Sequence, residues 1–191
     1  MTLEERILLL MLGSSEEKMI SGRTLLQKTI YFLNVMLGLG IEFVPYYYGP
    51  YSRAVAGSLQ ALQSSGLVDE IIRHYPPFDY RGAHESRLHI YRLNEYGQAA
   101  YNDIRQKEPE LAGKVEEMLE KMKGYAQSSD YKSLSISAKM YHILHEAGKA
   151  ITVEEILSQA SEIGWEITVN DAVEALKFLQ GMDLIKTNEA G

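Results

Sequence analysis

The sequence predicts a mainly α-helical fold with a small β-hairpin: a winged helix-turn-helix followed by a second helix-turn-helix unit. Three observations carry this. Ser52 to Ser65 places Val55, Leu59 and Leu62 at the i, i+4, i+7 spacing of a buried helical stripe, and Gly66 supplies the left-handed residue that ends such a helix. Leu67 to Ile72 and Leu88 to Leu93 then read as two strands around a polar loop carrying Pro76, Pro77 and Gly82. Beyond the linker signal Gln127-Ser128-Ser129-Asp130, apolar stripes and glycine stops recur in the pattern of three more helices.

The elements follow in chain order. Leu3 to Leu12 is apolar nearly all round, which predicts a core helix. Ser21 is placed to cap a second helix running to Leu37, with Leu25, Leu26, Thr29, Ile30, Leu33 and Leu37 inward and Arg23 and Lys28 solvated. Gly38-Leu39-Gly40 ends it. Ile41 to Tyr48 alternates, but Pro45 limits it to an edge strand or an extended loop. Gly49-Pro50 turns the chain into Ser52, the expected N-cap of the third helix, and Asn94 is the expected cap after the hairpin.

Ile104 to Tyr125 is a charged amphipathic stretch with Leu111, Val115, Met118, Leu119 and Met122 on one stripe. It either packs on its own domain or serves as a dimerisation arm. In the tail, Ile136, Met140, Ile143 and Leu144 mark a helix stopped by Gly148. Thr152 and Glu155 have capping-box spacing and open another, with Ile156, Leu157, Ala160 and Ile163 inward. Thr168 opens the last, with Val169, Val173, Leu176 and Leu179 inward to Gly181; Leu184-Ile185 reads as the start of a strand. Leu59, Leu62, Gln63, Gly66, Leu67 and Val68 are echoed by Leu176, Leu179, Gln180, Gly181, Met182 and Leu184 with a gap of two residues. The expected division is 1–103 for the winged helix, 104–127 for the connecting or dimerisation helix, and 128–191 for the second unit.

Composition narrows the function. The chain has 191 residues, no cysteine and a net charge of -7, which excludes disulfides, thiol catalysis and Cys-ligated zinc. No apolar run approaches the roughly 18 residues needed to cross a bilayer, and Glu4 and Glu5 precede the longest one, so neither a membrane span nor a signal peptide is expected. A cytoplasmic location fits. To Gln127 there are 14 Lys+Arg against 16 Asp+Glu; the remainder has 5 against 10. Between Arg73 and Arg92 the balance reverses, with Arg73, Arg81, Arg87 and Arg92 opposed only by Asp79 and Glu85. That basic stretch lies on the expected wing, where phosphates would be met.

No nucleophile elbow, phosphate loop or zinc-protease helix is present, so no enzyme and no cofactor is expected. His142 and His145 stand at i, i+3 beside Glu146, but two histidines without a third ligand define no metal site. The third helix would face a major groove with Arg53, Ala54, Gly57, Ser58, Gln60 and Ala61; Ser52, Arg53 and Gln60 are the candidate groove contacts, and Arg73, Arg81 and Arg87 the candidate phosphate contacts. The tail helix shows Asn170, Asp171, Glu174 and Lys177, a face phosphates would repel. Tyr46, Tyr47, Tyr48 and Tyr51 form an aromatic cluster. The pattern favours rings laid over the helix core, because Gly49-Pro50 ties the loop to the next helix; a ligand stack or an anchor for a partner protein is the alternative.

Gly22-Arg23-Thr24-Leu25-Leu26-Gln27-Lys28-Thr29-Ile30-Tyr31-Phe32-Leu33 and Tyr48-Gly49-Pro50-Tyr51-Ser52 resemble the YwgA-like family of predicted bacterial and archaeal regulators. The same L-Q-K-x-x-Y-F and Y-G-P elements are similar to the SocA-like (Panacea) antitoxin and adaptor domain. Tyr91 to Gly97 looks like the strand-to-helix exit of MarR- and PadR-type regulators. The resemblance implies a winged helix without enzymatic activity. The expected function is therefore duplex-DNA binding and transcriptional regulation, as a homodimer. The competing expectation is a non-enzymatic adaptor or antitoxin that grips a protein partner, and a third is small-molecule sensing in a crevice between the two units.

Overall fold

The computed structural model describes residues 1–74 and 87–186. Its order is α1 (Leu3–Ser14), β1 (Met19–Ser21), α2 (Arg23–Leu37), α3 (Arg53–Ser64), β2 (Val68–His74), β3 (Arg87–Leu93), α4 (Glu95–Lys107), α5 (Pro109–Lys123), α6 (Tyr131–Ala147), α7 (Val153–Glu162) and α8 (Val169–Gly181). The fold is mainly helical with one small antiparallel sheet, ordered β1-β3-β2. The hairpin expected from the alternating segments is present, and a third strand joins it. Met19–Ser21 is too short to show a period of its own; it becomes a strand only by pairing Met19, Ile20 and Ser21 with Arg92, Tyr91 and Ile90. Ser21 is thus the end of a strand, and Gly22 takes the cap position of α2. The remaining expected caps form: Ser52 accepts from the Val55 amide, Asn94 from Gly97, and Thr152 with Glu155 makes a capping box.

Two apolar clusters share α2. Leu26, Ile30 and Leu33 join the cluster built on α1, where Ile7 to Leu12 are all buried. Tyr31 and Phe32, on the other side of α2, join Leu134, Met140, Trp165 and Phe178. Eight consecutive residues, Leu26 to Leu33, are therefore buried, including Lys28 at 2% exposure. Lys28 is not solvated as expected, because the helix side that a single core would leave wet is covered by α6.

Four other expectations are corrected. Glu108-Pro109 interrupts the amphipathic stretch, since Pro109 cannot continue α4 and instead starts α5. The α5 stripe is turned inward, with Val115 at 0% exposure beside α1, the first of its two expected placements. In α8 the buried face is Ala172, Ala175, Phe178 and Leu179, while Val169 and Val173 are exposed. Phe178 sets that phase by packing edge-on against Phe32 and Tyr125, at 5.1 and 5.5 Å between ring centres. Ile163 is exposed, and Trp165 takes the inward place. No strand forms at Leu184-Ile185 among the described residues.

The internal echo is real at the helix ends, but its register differs from the gapped one. Gly66 and Leu67 donate to Gln63 and Leu62 as Asp183 and Leu184 donate to Gln180 and Leu179. Asp183, at φ 59, holds the left-handed place of Gly66, at φ 69. Asp tolerates that region better than most side chains, so no gap is needed.

Two stability predictions follow from backbone sterics. A Cβ at Gly97 would lie 2.0 Å from the Leu67 carbonyl oxygen, so Gly97→Ala should cost roughly 1–3 kcal/mol by forcing α4 off the hairpin, measured by urea denaturation. Glu17 and Lys18 both sit at left-handed φ, 50 and 54. Lys18→Gly should raise stability by roughly 1 kcal/mol, and the melting temperature by about 2–4 °C.

Candidate nucleic-acid interface

The Gly38–Ser52 connection is held by side chains of α2. Asn34 Nδ2 donates to the Ile41 carbonyl at 3.0 Å while its Oδ1 accepts from the Ile41 amide at 2.8 Å. Gln27 pairs both backbone groups of Ser52, at 3.1 and 3.0 Å. Lys28 Nζ donates to the Pro50 carbonyl at 2.6 Å. From the other side, Trp165 Nε1 donates to Tyr46 O at 2.8 Å and Ser135 Oγ donates to Tyr48 O. Gly49, at φ 94, lies between Lys139 and Lys28, where a Cβ would come 3.0 and 3.4 Å from their side chains. The loop's carbonyls point inward and its rings are displaced outward.

Tyr46 and Tyr47 therefore do not cover the core, whereas Tyr48 and Tyr51 are half-buried. Tyr46 and Tyr47 are 61% and 65% exposed; Tyr46 lies 5.2 Å from Tyr51 and Tyr47 4.8 Å from Tyr48, ring centre to ring centre. Backbone satisfaction decides this, because the inward space is taken by the donors that serve the loop's carbonyls.

On α3, Arg53, Ala54, Gly57 and Gln60 are exposed. Ser52 is not available to a groove: it is 1% exposed and spent on capping. Arg73 and Arg87 are exposed at the far ends of β2 and β3, and neither forms an ion pair among the described residues. Arg81 lies outside the described residues. The register places His74 opposite Arg87 and Arg73 opposite Leu88. Side chains alternate along a strand, so Arg87 shares a face with Glu70, His89 and Tyr91, while Arg73 points to the other. Arg92, on the Arg73 face, is paired with Asp69 at 3.6 Å.

Between α3 and the Arg87 face runs a groove of about 450 Å³ lined by Arg23, Tyr51, Gln60, Gln63, Glu70 and Tyr91 among others. Glu70 is its node. His89 Nδ1 lies 2.6 Å from Glu70 Oε1, Gln63 Nε2 donates to Oε2 at 3.0 Å, and Arg23 Nη2 lies 3.5 Å from Oε1. Arg23 Nε donates to the Tyr91 hydroxyl at 2.9 Å. The short His89–Glu70 separation assigns the Nδ1 proton to that bond, so Arg23 Nη2, 3.2 Å from the same nitrogen, is a neighbour and not its donor. Burial opposes the charge on Glu70, but bonds from His89, Tyr91 and Gln63 outweigh it and hold the carboxyl below its usual range. Burial pushes the Tyr91 phenol up to about 12, against the pull of Arg23. One carboxylate thus ties α2, α3, β2 and β3 together.

Glu70, His89 and Tyr91 were not singled out in the sequence, although reading β2 and β3 with a period of two puts them on the face of Val68 and Leu93. His142 and His145 go to ring contacts, with Trp165 at 5.8 Å and Tyr141 at 5.9 Å. Among the described residues no helix is long and apolar enough to cross a membrane. No known family model matches the chain, and no curated protein matches it either.

The buried Lys28 gives a pH prediction. Desolvation, with Lys139 nearby, lowers its pKa from 10.5 to about 7. The unfolded chain then binds the extra proton between these values, so stability rises with pH across about 7 to 10.5 and the penalty is full below. In Lys28→Met that rise should shrink when melting temperature is followed against pH, leaving the part that Lys139, also lowered by burial, contributes; an unchanged slope would refute the assignment.

Proposed function

We propose that this chain is a winged-helix protein that binds duplex DNA and regulates transcription. The order helix, strand, helix, helix, strand, strand, with β1 beside β3, supports that reading. The single observation that carries it is the pairing of surfaces: the exposed, slender face of α3 with Arg53, Gly57 and Gln60, beside a hairpin whose Arg73 and Arg87 have no carboxylate partner among the described residues. Gly57 admits close approach, Arg53 and Gln60 can meet base edges, and the arginines can neutralise phosphates. Arg23, in the first turn of α2, adds a third cation beside the groove.

The strand register makes the two hairpin arginines unequal. Fluorescence anisotropy on a duplex of mixed sequence, titrated with salt, tests this. Arg87→Ala should lower the log-log salt slope by roughly one unit, and Arg73→Ala by less, because only Arg87 lies on the α3 side. Gln60→Ala should leave the slope alone and relax sequence preference. Absence of binding at low salt, or a slope indifferent to Arg87, would end the proposal.

A second reading, a protein-binding adaptor or antitoxin, is favoured by one observation: Tyr46 and Tyr47 are exposed on a loop whose backbone is tied down at Tyr46, Tyr48 and Pro50. Rigid exposed tyrosines suit protein contacts. Tyr46→Ala with Tyr47→Ala would abolish a partner's binding on this reading and leave DNA affinity unchanged on the first.

A further inference from the structure

At the other end of β1 lies a second cavity, of about 410 Å³, between α1, β1, α2, the end of α5 and the Ala126–Ser129 turn. Its volume is in the range of small-ligand pockets, roughly 300–1,000 Å³. Met11, Met19, Leu25 and Met122 supply a soft apolar wall. Around it stand hydroxyls whose protons are spent on their own backbone. Thr29 donates to Leu25 O at 2.9 Å, Ser15 to Leu12 O at 2.7 Å, Ser128 to Tyr125 O at 2.8 Å and Ser129 to Ala126 O at 3.1 Å. These four hydroxyls offer only oxygen lone pairs to an occupant; Ser14, Tyr125 and Lys123 stand in the same lining. The charges at the mouth agree. Lys123 is taken by Glu120 at 3.1 Å, whereas the exposed Glu16 has no cation within ion-pair range among the described residues.

We propose that this cavity binds a small amphipathic amine, its apolar body against the methionines and its protonated head toward Glu16 and the hydroxyl oxygens. A carboxylate of the same shape would meet Glu16 and these oxygens, with Lys123, already paired to Glu120, as the cation in the lining. An alcohol would find partners for its single proton but no charge. The lip of the cavity is an independent observation. Glu17 and Lys18, directly after Glu16, both hold left-handed backbone angles, which non-glycine residues adopt at a cost and which concentrate at ligand clamps. The strained lip runs straight into β1, where Ile20 pairs with Tyr91. On the DNA-binding reading, an occupant would be felt at the groove; binding itself does not depend on that reading.

The test uses the full chain at neutral pH, with octylamine, octanol and octanoate below their aggregation limits, followed by calorimetry and thermal shift. Octylamine should bind saturably, one molecule per chain, and raise the melting temperature; octanol should bind more weakly and octanoate weakest. Glu16→Lys, an exposed change, should weaken octylamine by roughly tenfold or more and bring octanoate above it. Met19→Trp, which narrows the cavity, should weaken all three. Unsaturable octylamine binding, equal affinity for the three head groups, or an order that Glu16→Lys leaves unchanged would each overturn the proposal. None of these readouts involves DNA, so a failure of the DNA-binding reading would leave them standing.

Discussion

The structure depends on a helix with no dry side to spare. Because α2 is covered from both directions, its polar residues must find partners inside the protein, and the partners they find are backbone groups of the connection that follows. Gln27 closes a two-bond pair on Ser52, and Lys28 reaches Pro50. Buried amides and carbonyls are costly to leave unpaired. The constraint that satisfies α2 therefore also fixes where α3 begins. An irregular stretch of fifteen or so residues becomes a rigid spacer whose own secondary structure is a single antiparallel bridge between Val44 and Tyr51, against the usual expectation for long loops.

A second polar node, Glu70, repeats this logic on a smaller scale at the partly exposed end of the molecule. Its carboxylate accepts from β3 and α3 and sits beside the guanidinium of α2. Such a network holds the hairpin at a set angle to α3 where few apolar contacts are available to do so. It also gathers charge that the sequence scatters over nearly seventy positions, from Arg23 to Tyr91. The groove owes its mixed polarity to this gathering, and Arg73 and Arg87 beyond it are left to solvent.

The charge of the chain is distributed in keeping with two kinds of surface. The acidic excess falls mostly after Gln127, on the helices that pin the tyrosine loop, while the hairpin keeps its cations. Around the same sheet, one end of β1 meets the strained Glu17-Lys18 turn and its partner strand carries Tyr91 into the groove. The apolar cavity and the polar groove are thus joined by a single pair of strands.

The sequence by itself determined most of the helices, the caps at Ser52, Asn94, Thr152 and Thr168 and the hairpin, because capping, glycine stops and apolar period are local properties that act over three or four residues. For the same reason it placed Arg53 and Gln60 on the outer face of α3, where both are exposed. What tertiary structure decided were the matters that require knowing what lies opposite. Lys28 is buried because α6 covers it, Tyr46 and Tyr47 are exposed because Trp165 and Ser135 of α6 claim the Tyr46 and Tyr48 carbonyls, and α8 turns about its axis to seat Phe178. The three residues of β1 are a strand only by virtue of β3. Glu70, His89 and Tyr91 form a site only once α2 and α3 meet the sheet, since hydrogen-bond partners distant in the chain leave no periodic trace in it.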